Sequence, residues 1–497
     1  MPTPMEQLRA LEKQLFAYTY AACVINYDDA TVAPPESSEG RGEALEALSA
    51  AEHQLLTGSG LPGLLKDARK GAPGEQEAAE LRELERMYDE ASKIPAEEYA
   101  AFAKLTSTAQ NVWAKARAAD DFDAFAPYLQ KILDARRRWA GYLAPEKDPY
   151  DYWLDHYERG ANTQMLDRFF DELQSRIVPL LARIRAEGKP VRTDFLCQDW
   201  PLAQQKELAH RVMRRMEVDA GHCAMGESAH PFTTEFYKGD VRITTHYNPR
   251  DMTSSLYSVV HESGHALYEL HTADRLKYTV LAHGASMGVH ESQSRFYENY
   301  LGRSLAFIKA LWPDLTELFP EQLAGVSPEE LYAAVNRAEP GLIRTEADEL
   351  TYCLHILVRY QIEKRLMAGE LAVKDLPKTW NRLMKEILGV DVPSNAQGCL
   401  QDIHWSCGDL GYFPSYALGS AYGAQMLRRM KRELDTDALM EAGDFAPVNA
   451  WLCEHIWQYG MEKEPGWLVQ NACGGPFDPA CFAEYLETKY AALYGLA

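Results

Sequence analysis

A mainly α fold carrying one small antiparallel sheet is predicted by three features of the sequence. Apolar residues recur with the 3.6-residue helical period along most of the 497 residues, and clusters of Gly, Pro and Asp or Asn punctuate them. Only one stretch alternates with the two-residue rhythm of a strand. At 46% hydrophobic and 25% charged residues the chain can bury a substantial core, which excludes disorder as its main state.

The elements follow in order. Leu8, Leu11, Leu15, Tyr18 and Ala22 form the first helical stripe, and Ala33-Pro34-Pro35 reads as a turn. Helices are expected around Glu75 to Asp89, Glu97 to Ala119, Gln164 to Ala186 and Leu202 to Met216, with a turn at Leu143-Ala144-Pro145. Pro179 is expected to kink the third of these, because an interior proline lacks the donor and crowds the preceding turn. From Phe232 to Tyr247, Thr, Phe, Tyr, Val and Ile alternate with polar residues around Lys238-Gly239-Asp240, the pattern of a hairpin. Ser254 to Val260 leads into a further helix, and Leu350, Leu354, Leu357, Val358, Ile362 and Leu366 mark another. Length alone suggests roughly three domains. With no repeat, low-complexity tract or strong linker, residues 1–497 are instead expected to form one large domain.

The balance of 51 Lys and Arg against 73 Asp and Glu gives a formal charge of −22. Such a field repels phosphate backbones and anionic lipid, so neither nucleic acid nor a membrane surface is an expected partner. It also leaves any anionic ligand dependent on a few local arginines. The nine cysteines are odd in number, scattered and without a C-x-x-C pair, which disfavours a disulfide framework or a structural zinc site. No stretch approaches the roughly 18 apolar residues of a membrane span, and the first ten residues contain no apolar core of a leader. A cytoplasmic location is expected.

His261-Glu262-Ser263-Gly264-His265 matches H-E-x-x-H. Residues i and i+4 lie about 40° apart around a helix and roughly 6 Å apart along it, so both imidazoles can reach one metal ion. Glu262 then projects beside the ion and can take a proton from a bound water. A catalytic zinc needs a third protein ligand and an open position. His271 lies about 120° away from His265 and roughly 9 Å further along a continuing helix, with Tyr268 where the metzincin pattern has its turning glycine. Glu269 is on a better face but also too far along the same helix. Glu291, 26 residues after His265, leaves room for a loop and a returning helix, and its dense polar run interrupts an amphipathic stretch. Alternatively His290 is the ligand and Glu291 supports it.

These residues, with others in order along the chain, resemble the carboxypeptidase Taq family of zinc metallocarboxypeptidases. The resemblance rests on His230-Pro231-Phe232, Asp240-Val241-Arg242-Ile243-Thr244, the His261 to His265 motif, His290-Glu291-Ser292-Gln293, Ile343-Arg344-Thr345-Glu346-Ala347-Asp348, and Gly398 to Trp405 read as G-x-x-Q-D-x-H-W. Asp29 to Pro35 resembles the family's opening segment, with Ala33 where a methionine is expected. The resemblance implies a large helical metallopeptidase with a deep active-site groove, covered by an N-terminal helical part near residues 1–120. It implies one Zn²⁺ per chain, with Co²⁺ or Mn²⁺ as substitutes, and a homodimer. It further implies release of single C-terminal amino acids from peptides with broad specificity. A zinc endopeptidase or oligopeptidase is the alternative, and a peptide-binding protein without activity is a more distant one that an intact Glu262 speaks against.

Roles then follow for the remaining motif residues. A free C-terminal carboxylate suits the planar fork of arginine, so Arg344 and Arg242 are candidates, ahead of Arg295. The competing reading for each is a salt bridge to a nearby acid such as Asp240 or Asp348. His404, Tyr412 or Tyr416 can donate to a developing oxyanion. Gln401 and Asp402 are expected to orient neighbours, and His230 either meets the substrate or braces the hairpin. The expected metal ligands are His261, His265 and Glu291, with Glu262 assisting attack of a zinc-bound water.

Overall fold

The structure is a computed structural model that describes residues 2–496. Within them stand twenty-one α-helices and a single three-stranded sheet, distributed over two compact units. Among the described residues no helix is long and apolar enough to cross a membrane, and none of the nine cysteines forms a disulfide.

The first unit gathers the residues up to Ser92 with Arg192–Val335 and Met426–Phe477. Helix α1 (Pro4–Thr31) opens with a capping box, in which Thr3 Oγ1 accepts from the Glu6 amide at 3.2 Å and the Glu6 carboxylate accepts from the Thr3 amide at 2.7 Å. Its buried Leu8 and Leu15 pack with Leu56, Leu61, Leu65, Leu81 and Leu84.

The sheet comprises β1 (Cys223–Glu227), β2 (Thr233–Tyr237) and β3 (Asp240–Thr245), with β3 in the middle. The β2–β3 hairpin is antiparallel, as the alternating stretch predicts, and Val241 and Ile243 of β3 are fully buried. The sheet as a whole is mixed, because β1 joins the other edge of β3 in parallel. β1 shows no strand signal of its own. It carries Gly226, where a Cβ would stand 2.5 Å from the Tyr27 hydroxyl of α1, so its position is imposed by tertiary packing.

Helix α2 (Met252–Leu270) is capped by Asp251, which accepts from the amides of Thr253 and Ser254. Helix α3 (Met287–Arg295) is capped by Ser286, which accepts from Val289 at 3.1 Å, and it runs directly into a π-helical turn over Phe296–Gly302. Helices α2 and α3 touch at Gly264, where a Cβ would lie 2.8 Å from both the Gln293 carbonyl oxygen and the Ser294 Cα. A residue without a side chain is therefore required at that position of the H-E-S-G-H run.

The second unit comprises Lys93–Val191, Asn336–Gln425 and the residues from Asp478 onward. Its Thr163–Glu187 helix runs through Pro179 and packs against the Pro479–Tyr494 helix. Helix α4 (Glu349–Met367) is buried on almost every face, unlike an ordinary amphipathic surface helix. His355, Arg359 and Glu363 are fully buried along it. Glu363 accepts from the Tyr150 hydroxyl at 2.9 Å, the Trp405 indole at 2.8 Å and the Gly411 amide at 2.9 Å. Three neutral donors thus anchor the Trp405 and Gly411 segments to α4.

Candidate functional site

In the first unit, α2 and α3 bring the donor atoms of His261, His265 and Glu291 within 4.8 Å of one another. Glu291 Oε2 stands 3.6 Å from His261 Nε2 and 3.5 Å from His265 Nε2. Donors bound about 2.1 Å from a shared ion in tetrahedral geometry stand roughly 3.4 Å apart, so the observed edges fit a small divalent cation. A borderline-soft ion such as zinc suits two imidazoles and one carboxylate.

Each candidate ligand is held from behind. His261 Nδ1 faces Glu298 Oε2 at 2.9 Å, a carboxylate position that fixes the proton on Nδ1 and leaves Nε2 as the donor. Arg295 donates from Nε to Glu291 Oε1 at 2.8 Å and from Nη1 to Glu298 Oε2 at 2.9 Å, and Arg303 donates to Glu298 Oε1 at 3.1 Å. Burial alone would raise the Glu291 carboxyl, but Arg295 and the two imidazoles outweigh it and hold the group well below the usual carboxylate range. Glu298 is held down in the same way by Arg295, His261 and Arg303. Burial, reinforced by His290, pushes His265 down to about 3, which favours a neutral ring with a free lone pair.

Glu262 is buried at 6% exposure, and Thr233 Oγ1 of β2 donates to its Oε2 at 2.6 Å. Burial raises its pKa, against the pull of His261 and Thr233. A carboxyl raised in this way is better matched to proton transfer near neutrality than an exposed one.

The other histidines of the region are placed differently. His271 caps the end of α2, its Nδ1 2.7 Å from the Leu267 carbonyl and its ring against Trp457, away from the three donors. His290 lies behind His265, with its two nitrogens turned to His265 and Glu269. His290, offered by the sequence as the alternative ligand, therefore lies outside the group of three converging donors.

Two other predicted residues of the first unit lie on or beside the hairpin. Arg242 forms a two-point ion pair with Asp240 at 3.0 and 3.1 Å and lies over the Tyr27 and Phe236 rings. His230 is exposed, and its carbonyl accepts from Ser228 Oγ at 2.6 Å.

In the second unit, Arg344, Arg359, Gln401 and Asp402 form one buried cluster. Arg344 Nε donates to Asp402 Oδ1 at 2.9 Å and Arg359 Nε to Asp402 Oδ2 at 2.7 Å, so two guanidinium groups share one carboxylate. Gln401 Oε1 accepts from the Arg344 amide at 2.9 Å and from Arg359 Nη2 at 2.8 Å. Arg344 is therefore paired with Asp402 rather than with Asp348, which instead caps α4 through Thr351. Burial, with the two arginines opposed by Asp402, pushes His404 down to about 4, and its Nε2 stands 3.2 Å from the Tyr416 hydroxyl. Tyr416 lies under the Arg344 guanidinium at 5.0 Å and beside Tyr412 at 5.2 Å between ring centroids. A cluster with two fixed cations, one carboxylate and a neutral His404 retains positive charge suited to an anion.

Glu298, Thr233 and Arg359 escaped the reading of the sequence, and Glu269, weighed there only as a metal ligand, instead faces His290. Glu291, Arg295 and Glu298 stand at i, i+4 and i+7, a spacing that could have revealed the ion-paired face. Arg359 and Glu363 are ionisable residues set among the apolar Leu354, Ile356, Leu357, Val358, Ile362 and Leu366, which marks a helix buried on nearly all sides.

Comparison with known proteins agrees along nearly the whole chain. The model of the family described as carboxypeptidase Taq (M32) metallopeptidase matches residues 7–490. Carboxypeptidase 1 of Bacillus subtilis is 37% identical over 489 residues, covering 97% of each chain. Thermostable carboxypeptidase 1 of Pyrococcus furiosus is 37% identical over 497 residues, covering 98% of each. The crystal structure of the M32 carboxypeptidase from Deinococcus radiodurans R1 superposes with a TM-score of 0.96 at 35% identity, covering 100% of both chains.

Proposed function

The chain belongs to the carboxypeptidase Taq (M32) metallopeptidase family and is a metallocarboxypeptidase, and on that premise we propose that it releases single C-terminal amino acids from peptides with broad preference. His261, His265 and Glu291 hold the ion, one per chain, and zinc is the proposed metal, with Co²⁺ or Mn²⁺ able to substitute. The observation that carries this reading is the convergence of three donors within 4.8 Å of one another, with the buried Glu262 next to His261 in the chain.

When bound, the ion supplies a Lewis acid that acidifies water and polarises the scissile carbonyl. Glu262, steadied by Thr233, takes a proton from the attacking water and later delivers it to the leaving amine. Arg344 receives the substrate's terminal carboxylate, supported by the sharing of Asp402 between two guanidinium groups. Arg242 and His230 are assigned secondary contacts with the peptide. His404, Tyr412 and Tyr416 are the proposed donors to developing negative charge on the carbonyl oxygen.

The whole chain is proposed to act as one metallocarboxypeptidase domain and, in line with the family resemblance, as a homodimer. A cytoplasmic location is proposed, in keeping with nine cysteines of which none forms a disulfide.

Replacement Glu262→Gln tests the assignment. It should lower kcat on an N-blocked dipeptide by roughly 10²–10⁴-fold while bound metal stays at the wild-type level. Turnover close to wild type would refute the role of Glu262.

A further inference from the structure

We infer that Glu363 is a positioning residue that fixes the spacing of His404 and Tyr412 by holding both ends of the segment that joins them. Trp405, next to His404 in the chain, donates its indole N–H to Glu363 Oε1 at 2.8 Å, and the amide of Gly411, next to Tyr412, donates to Oε2 at 2.9 Å. One fully buried carboxyl group on α4 thus grips the segment just inside each of the two side chains. His404 and Tyr412 are two of the groups proposed to meet negative charge on the carbonyl oxygen, and the inference rests on that assignment.

The backbone between the two grips is closely confined. Gly408 and Gly411 both lie in the left-handed region, at φ 86° and 91°, so the chain turns there without a side chain. A Cβ at Gly411 would stand 2.8 Å from the Trp153 carbonyl carbon, which leaves the segment no room to shift toward the Pro149–Tyr157 helix. Arg136 Nε donates to the Gly408 carbonyl at 2.8 Å, and the Tyr157 ring meets Tyr412 edge-on at 5.1 Å between centroids. The His404 and Tyr412 rings then stand 5.5 Å apart.

The grip holds in either protonation state of Glu363. Burial, reinforced by Asp409 and opposed by the three donors, pushes the carboxyl up to about 7, so both forms are populated near neutrality. The ionised form accepts from Trp405, Gly411 and the Tyr150 hydroxyl. In the neutral form the acid hydrogen on Oε2 goes to the Tyr150 oxygen, because neither the indole nor the amide nitrogen can accept. Oε1 still accepts from Trp405, and Oε2 still accepts from Gly411. Glutamine has no such solution. Its amide nitrogen meets either the Trp405 N–H or the Gly411 N–H, so one donor faces another in both orientations.

The test is kcat and KM of the full chain on an N-blocked dipeptide, at a temperature where every variant is folded, with bound Zn²⁺ and melting temperature measured alongside. Glu363→Gln should lower kcat by roughly 10–100-fold, with KM within about twofold of the parent and bound Zn²⁺ unchanged. Tyr150→Phe removes the third donor but neither grip, so it should lower the melting temperature while kcat stays within about twofold of the parent. Trp405→Phe, which serves if Glu363→Gln does not fold, releases one grip and should lower kcat in the same way. The two changes combined should be no slower than Glu363→Gln alone, since the amide nitrogen then has no indole N–H to oppose it.

A kcat within about twofold of the parent in Glu363→Gln, or in Trp405→Phe where the former does not fold, would overturn the inference. So would a Tyr150→Phe variant that loses kcat as heavily as Glu363→Gln, because the loss would then follow stability alone. Full turnover in both His404→Gln and Tyr412→Phe would instead remove the donor assignment beneath it, so the two failures are distinguishable.

Discussion

At the scale of single residues, the arginines divide by what already occupies them. Arg242 has both edges of its ion pair taken by one carboxylate, that of Asp240, whereas Arg344 and Arg359 divide the carboxylate of Asp402 between them. That difference favours Arg344 as the receptor for a terminal carboxylate. The parent enzyme should cleave a peptide with a free C-terminus far better than its C-terminal amide. Arg344→Gln should reduce kcat/KM on the free acid by about 100-fold or more and nearly abolish that preference, because the planar fork is lost. The comparison of kcat/KM for acid and amide in both proteins checks it, and an unchanged preference in the variant would count against Arg344. Sequence motifs pointed to Arg344 and Asp402 separately. Their pairing was not legible, because 58 residues separate Asp402 from Arg344 and the intervening Arg359 lies in no recognised motif.

At the scale of elements, the site depends on how closely α2 and α3 approach. The neighbourhood of His261, His265 and Glu291 was legible because an i, i+4 pair on one helix fixes two donors and the spacing to Glu291 permits a returning helix. The contact that brings the second helix near enough is made at Gly264, whose role only the packed structure displays. Gly264→Ala should push the helices apart, costing roughly 1–3 kcal/mol of stability and weakening metal binding. Thermal melting together with Zn²⁺ titration checks both effects, and a variant that melts and binds as the parent does would show the approach to be tolerant. The third strand was hidden for a related reason. Cys223–Glu227 lacks the alternation of a strand, and its place on the sheet comes from packing around Gly226. The i+7 spacing of Glu298 from Glu291 was readable, but its contact with His261 across a π-helical turn was not.

At the scale of the whole molecule, the mainly α class was readable from periodicity because most elements bury one face, and α4 blurred that signal by burying nearly every face. The formal charge of −22 makes the surface a poor collector of carboxylates, which is why recognition of a peptide terminus is proposed for a buried cluster with residual positive charge. A functional metal is the claim on which the rest depends, and release of the C-terminal residue from an N-blocked dipeptide, before chelation, after chelation and after Zn²⁺ is restored, tests it most directly. Activity should fall to background when the metal is stripped and return when Zn²⁺ is added back. Undiminished release by the metal-free protein would contradict the account.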